Sequence, residues 1–294
     1  MIAGFKKSVL HCNGVNITFF RAGKGKTLLL LHGYPQNHIC WEKIAPVLAR
    51  SYDVIVPDLR GYGDSSAPPN DTENTIYSKR TMAQDMVDLL SELEIPIASL
   101  LGHDRGARVA YRFALDHPEL IEKLGIIEIV PTGDFWAGWN ADLAMAAYHW
   151  TFLAQPYPMP EHMIGSNSDS YIEWTLEQWT LNKTLDVFTN EALESYRNQA
   201  RDPARLHAMC SDYRAGATTD RRIDLEDQSK SRKILVPTKV LYGAHGFPAK
   251  NGNAVSLWQS WASDLGISVC ESGHFVMEEN PQAVLDTFLP FFAN

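Results

Sequence analysis

This sequence predicts an α/β fold: a mostly parallel sheet with helices on both faces and an inserted helical cap. Three observations predict it. Short apolar runs alternate with helix-period segments from Thr27 to Val130 and again from Thr238 to Phe292, the pattern of βα units whose sheet is covered on both sides. Between these blocks, from Thr132 to Asp224, no strand pattern appears, and five of the eight tryptophans (Trp136, Trp139, Trp150, Trp174 and Trp179) fall there. Finally, the apolar run Ile97–Leu101 enters Gly102-His103-Asp104-Arg105-Gly106 and leaves as a helical pattern, the layout of a nucleophile elbow. The sheet domain is expected at 1–131 and 225–294, with the cap at 132–224 supplying pocket walls.

Taken in order, Asn13-Gly14 splits two alternating runs, Ser8–Cys12 and Val15–Arg21, a two-residue hairpin signal. Thr27–Leu31 reads as a buried strand ending in His32-Gly33-Tyr34-Pro35, followed by a helix over Trp41–Arg50 and a strand over Asp53–Pro57. A glycine-punctuated loop, Asp58–Ser65, comes next, with Asp58 and Arg60 expected to brace it as a pair. From Lys79 to Glu94 apolar residues recur at Met82, Met86, Leu89, Leu90 and Leu93, the spacing of an amphipathic helix. The elbow strand and helix lead to a strand over Leu124–Val130. Past the cap, strands are expected at Thr238–Gly243 and Ile267–Cys270, with helices at Ala254–Ser263 and Pro281–Phe292.

Composition narrows the function. The 294 residues are 45% hydrophobic with net charge -9, ample for a large core. Without a basic block, binding to nucleic acid or to an anionic membrane is not expected. No apolar stretch is long enough to span a bilayer, and Met1–Leu10 lacks the apolar segment of a signal peptide. The four cysteines (Cys12, Cys40, Cys210 and Cys270) form no C-x-x-C, so free thiols in a cytoplasmic protein are expected. No His or Cys pair has zinc spacing. Gly23-Lys24-Gly25-Lys26-Thr27 is no phosphate loop, because Phe20 stands where the first glycine is required and Lys26-Thr27 enters a strand.

The elbow's central residue sets the chemistry. A Ser there would suit acyl transfer. Asp104 suits attack on a saturated carbon, because the product is an ester that water can cleave at its carbonyl. Carbon–halogen and epoxide carbon–oxygen bonds are the candidates. A base is needed for the hydrolysis. Among ten histidines, His274 lies just past the last expected strand and follows the nucleophile in chain order; it would take a proton from water, with activity falling below about pH 6.5 if its imidazole is unperturbed. An acid should orient it. The loop after Gly243 offers none, whereas Glu128 sits in the apolar run Ile126–Val130, where a carboxylate should have a partner or a task. Asp134 is the alternative acid. Backbone N–H groups of Tyr34 and Arg105 are the expected oxyanion hole, with His32 structural.

Arg105 and Arg108, one helical turn apart beside Asp104, either neutralise the nucleophile or bind an anionic substrate. Two like charges 4 Å apart repel by about 4 kcal/mol at an effective dielectric of 20. Charge-assisted hydrogen bonds contribute about 1.5–3 kcal/mol each, so two arginines offset the repulsion.

The residues His32-Gly33-Tyr34-Pro35-Gln36-Asn37, Asp58–Ser65, Gly102–Gly106, His149-Trp150 and Ser211-Asp212-Tyr213-Arg214 together resemble the fluoroacetate (haloacetate) dehalogenases, which are α/β-hydrolases. The elbow is shared with haloalkane dehalogenases and epoxide hydrolases, where Trp usually follows the nucleophile; Arg105 and Arg108 are the specific marks. The resemblance implies Asp104 as nucleophile, His274 as base, a carboxylate clamp by Arg105 and Arg108, and a halide site from His149, Trp150 and Tyr213. It also implies a homodimer and no cofactor or metal. The family typically carries Asp where this chain has Glu128. The expected activity is hydrolytic dehalogenation of short 2-haloacids. The alternatives are an epoxide hydrolase with Tyr213 protonating the ring oxygen, and a non-catalytic protein binding small acids.

Overall fold

The computed structural model describes residues 1–251 and 253–293. Eight strands form one sheet: β1 (Lys6–Cys12), β2 (Val15–Gly23), β3 (Thr27–Leu31), β4 (Asp53–Pro57), β5 (Ala98–His103), β6 (Ile121–Ile127), β7 (Thr238–Gly243) and β8 (Leu265–Cys270). Their order is β1-β2-β4-β3-β5-β6-β7-β8. The β1–β2 and β2–β4 pairs are antiparallel, and the rest are parallel. The central strands β3, β4 and β5 are buried along almost their whole length, as a sheet covered on both faces requires.

The first covering helices are α1 (Ala45–Leu48), α2 (Lys79–Glu92) and α3 (Asp104–Asp116). Ser78 caps α2 by accepting from Thr81 N–H, and Met82, Met86, Leu89 and Leu90 form its buried face. Helix α3 is buried from Asp104 to Leu115. The helix expected over Trp41–Arg50 is two pieces instead: a 3-10 turn at His38–Trp41, capped by the Asn37 side chain, and α1. Pro46 explains the break, since it has no N–H to bond back one turn but fits the first turn of a new helix.

Between β6 and β7 the described residues hold no strand. They form α4 (Thr132–Ala137), α5 (Ala141–Ala146), α6 (Tyr148–Leu153), α7 (Met159–Gly165), α8 (Ser168–Trp179), α9 (Asn190–Arg201), α10 (Pro203–Ala215), a π-turn at Gly216–Asp220, and α11 (Arg221–Ser229). Helix α11 runs on past Asp224 because Arg112 of α3 ties it down through Asp224 at 2.8 Å and Asp227 at 2.5 Å. The chain closes with α12 (Phe247–Asn251), α13 (Ala254–Trp261), α14 (Val276–Glu279) and α15 (Pro281–Ala293).

Asp58 and Arg60 do not pair with each other. Asp58 accepts from the His38 ring and backbone N–H, each at 2.9 Å, and from Asp64 N–H at 2.8 Å. Arg60 is bidentate on Asp85 of α2. Burial decides this: each group is almost fully enclosed and must find a partner on the element packed against it. All four cysteines are free. No helix among the described residues is long and apolar enough to cross a membrane.

Candidate active site

The carboxyl ends of β3, β5, β6 and β8 lead into Tyr34, Asp104, Glu128 and His274, so four distant segments converge at one sheet edge. Asp104 takes a φ of +45° at the β5–α3 turn, a left-handed conformation uncommon outside glycine and held here by its surroundings. Gly106 permits the turn, since a Cβ there would drive into the carbonyls of Leu31 and His32. Asp104 Oδ1 accepts the Tyr34 N–H at 2.9 Å. The other expected oxyanion donor, Arg105 N–H, makes no hydrogen bond to Asp104 among the described residues.

His274 is held by its backbone rather than its ring. Its N–H donates to Trp179 O at 2.9 Å, and its carbonyl is 2.8 Å from His103 Nε2. Trp179, Phe247 and Phe275 pack around the imidazole with centroids 5.1–5.4 Å away. Both ring nitrogens are buried without a hydrogen-bond partner. Nε2 lies 3.9 Å from Asp104 Oδ2, and Nδ1 lies 3.7 Å from Glu128 Oε1. Burial, with His103 adding to it, pushes the imidazole well below its ordinary value, so it stays neutral to lower pH than an unperturbed histidine. Burial works against the Asp104 carboxylate, but His274, His103, Arg105 and Arg108 outweigh it and hold the pKa below the usual value.

Glu128 departs from the sheet at φ +64°, which ends β6 at Ile127 rather than at Val130 as the apolar run suggests. Its carboxylate accepts from Gly243 N–H and Phe247 N–H, both at 2.8 Å. Burial nonetheless raises its pKa well above the ordinary glutamate range, the two backbone donors opposing. Gly246 makes room for this side chain, because a Cβ there would overlap Oε1. Asp134, the alternative acid, is engaged elsewhere: Trp261 Nε1 donates to it at 2.6 Å and Gln228 at 2.9 Å.

The two arginines are buried with complementary bonding. Arg105 gives Nε and Nη2 to Asp212, and its Nη1 is unpartnered. Arg108 gives Nη1 to Val130 O and Thr132 Oγ1, each at 3.0 Å, and its Nε is unpartnered. Tyr213 and Trp150 lie beneath them, at 4.3 Å from Arg105 and 4.6 Å from Arg108 respectively, within cation–π range. His149 joins this cluster 5.5 Å from Tyr213, and Trp150 lies 5.8 Å from Tyr213. Among the described residues, Trp150 Nε1, the Tyr213 hydroxyl and the His149 ring make no hydrogen bond to protein. Burial lowers His149 to about 3, which leaves it a neutral donor.

A narrow cavity of about 10 Å³ touches Asp104, Arg108, Glu128, His149, Trp150 and His274. A wider opening of about 300 Å³ reaches His274 from the surface past Trp174, Trp179 and Lys183. Of the five helical-segment tryptophans, Trp150 and Trp179 wall the site and Trp174 lines its mouth. Trp136 instead donates to Gly216 O at 3.1 Å and stacks on Trp139. Among the described residues no group of three His, Cys, Asp or Glu side chains is placed to hold a metal. Asp212, Lys79 and His103 were not singled out from the sequence. Asp212 lies inside a motif already quoted, but its partner Lys79 is 133 positions away, and nothing local marks the pair.

A family model described as the alpha/beta hydrolase fold matches residues 26–281. A fluoroacetate dehalogenase of Burkholderia sp is 38% identical over 96% of this chain and 91% of its own length. A soluble epoxide hydrolase of Corynebacterium sp. (strain C12) is 34% identical over 96% of this chain and 95% of its own. The crystal structure of ALR0039 from Nostoc sp PCC 7120 superposes with a TM-score of 0.93 at 41% identity, covering 98% of this chain and 99% of that one.

Proposed function

Since the chain belongs to the alpha/beta hydrolase family and is a hydrolase, we propose that its reaction is hydrolytic dehalogenation of short 2-haloacids through an ester on Asp104. The observation that carries this reading is a pair of buried arginine N–H groups without acceptors, Arg105 Nη1 and Arg108 Nε, in the first turns of the helix that Asp104 opens. Buried donors without acceptors are costly, and a substrate carboxylate would supply the acceptors.

In this reading the arginines hold the haloacid's carboxylate, and Asp104 Oδ2 attacks C2. The carbon–halogen bond breaks with its electron pair on the halide, which accepts hydrogen bonds from His149, Trp150 and Tyr213. Oδ1 becomes the ester carbonyl and remains on Tyr34 N–H, a donor preorganised for the oxyanion of the next step. The 3.9 Å between His274 Nε2 and Asp104 Oδ2 is too long for a direct hydrogen bond, so in this reading Nε2 is left to bond the water that attacks the ester. His274 takes that water's proton as its oxygen attacks Asp104 Cγ, and returns it to the departing 2-oxygen of glycolate. Glu128, 3.7 Å behind Nδ1, faces the cation that forms.

The test is fluoride release from fluoroacetate, with diol formation from styrene oxide in parallel. Fluoride or chloride without diol supports the reading. Diol without halide favours the epoxide reading, to which the free Tyr213 hydroxyl and the epoxide hydrolase relative lend weight. Haloacetate binding with no product of either kind over many turnovers' time favours a binding protein. One turnover in heavy-oxygen water should put the label in Asp104 and leave the released glycolate unlabelled; label found directly in that glycolate overturns the ester.

A further inference from the structure

One buried pair beside the site, Lys79 and Asp212, takes no part in the chemistry above. Lys79 opens α2 and is 2% exposed. Its ammonium meets Asp212 Oδ1 and lies 3.9 Å from Asp220 Oδ2. The same Asp212 oxygen accepts Arg105 Nε at 3.0 Å, while Oδ2 accepts the Tyr62 hydroxyl at 2.8 Å. Arg105 Nη2 also donates to the Asp212 carbonyl at 2.7 Å. The guanidinium is thereby clamped on one side, with Nη1 buried and without an acceptor.

Counting charges shows what Lys79 adds. Without it, Arg105 and Arg108 would be cancelled by Asp104 and Asp212, and an arriving carboxylate would leave an unbalanced negative charge in a buried site, which is costly. With it, three cations face three carboxylates, Asp220 included at 3.9 Å from the ammonium, so an arriving anion meets one less unbalanced negative charge than it would without the lysine. Asp220 is the more distant counter-charge: its Oδ2 lies 3.9 Å from the ammonium and accepts no hydrogen bond, while its Oδ1 accepts the Lys79 backbone N–H at 2.7 Å. Burial also opposes the charge on Asp212, but Arg105 and Lys79 outweigh it and hold Asp212 ionised.

We propose that Lys79 and Asp212 are positioning residues for substrate recognition: Asp212 fixes Arg105 with Nη1 unpartnered, and Lys79 draws off enough of the Asp212 charge for Arg105 to attract an anion. This rests on the haloacid reading above. The test compares kcat/KM for chloroacetate and for neutral chloroacetamide, with the amide's inhibition constant used if it turns over too slowly. Lys79→Met should lower the chloroacetate-to-chloroacetamide ratio about tenfold, the loss of one charge-assisted contact, chiefly through KM for chloroacetate. Lys79→Arg should hold the ratio. Tyr62→Phe, which strips a donor from Asp212 and disturbs packing least, should lower it about twofold, less than a full hydrogen bond. A merely structural role depresses both substrates together and leaves the ratio alone. An unchanged ratio in Lys79→Met, or in Tyr62→Phe should the former not fold, overturns the proposal. No halide release from chloroacetate by the unaltered enzyme would instead overturn the proposed reaction itself.

Discussion

Glu128 stands behind His274 at 3.7 Å from Nδ1, with both of its carboxylate oxygens already taken by backbone N–H groups. The acid is fixed by the chain after β7, and only a charged imidazole would draw it closer. Glu128→Gln keeps size and removes that charge. It should slow ester hydrolysis by about 10²-fold or more, as loss of the orienting acid does in triads, while halide release in the first turnover stays fast. Rapid-quench measurement of burst and steady-state halide checks this; equal slowing of both phases would contradict the assignment.

With its base removed, the enzyme should trap itself. His274→Asn is expected to accumulate a modified peptide containing Asp104, heavier by one glycolyl group, after exposure to chloroacetate. Mass spectrometry of the digested protein decides it. Full turnover with an unmodified peptide would remove His274 from the mechanism.

The pH profile should differ from the sequence-based expectation. In the proposed reaction a neutral His274 is the active form, and burial with His103 drives its pKa well below the ordinary value. The acid limb of kcat/KM should therefore lie clearly below about pH 6.5, the unperturbed imidazole value. The buried histidines' contribution to stability follows the same sign. Burial also lowers His32 to about 4 and His149 to about 3, so below about pH 6.5 these two side chains refuse protons that the unfolded chain binds and their contribution to stability is lost on acidification, while Glu278, raised to about 8 by burial, contributes in the opposite direction. Going from pH 7.5 to 5.5 should cost the unaltered protein more of its urea midpoint than it costs His149→Phe, and an equal change in the two would run against this.

Arg108→Met removes one of the two buried arginine donors without acceptors. Losing a charge-assisted hydrogen bond of about 1.5–3 kcal/mol should raise KM for haloacetates roughly 10- to 100-fold. Steady-state kinetics with fluoroacetate and chloroacetate provide the measurement; an unaltered KM would mean that Arg108 only buttresses Val130 and Thr132.

Far from the chemistry, Arg60→Met strands the buried Asp85 carboxylate. Breaking a buried pair from one side costs about 3–5 kcal/mol, read as a lower urea midpoint. Replacing both residues together, Arg60→Met with Asp85→Leu, should recover much of that loss, because no uncompensated charge is left.

Local pattern was enough for most of the scaffold. Strand β4, with β3 and β7, fell where apolar runs bounded by turn residues placed them, and α2 followed its spacing of Met82, Met86, Leu89 and Leu90. Boundaries moved where a single residue's backbone intervened, as at Glu128 and Pro46. The nature of Asp104 as a carboxylate in an elbow, and the presence of His274 after the last strand, were legible because glycine spacing and chain order are properties of sequence alone. What only the tertiary structure decided was partnership. Asp58 turned to His38, Arg60 to Asp85, Asp134 to Trp261, and Arg105 to an aspartate shared with Lys79. Buried charges choose partners by proximity across packed elements, and that proximity arises only when the chain has closed on itself, bringing together residues that no local spacing connects.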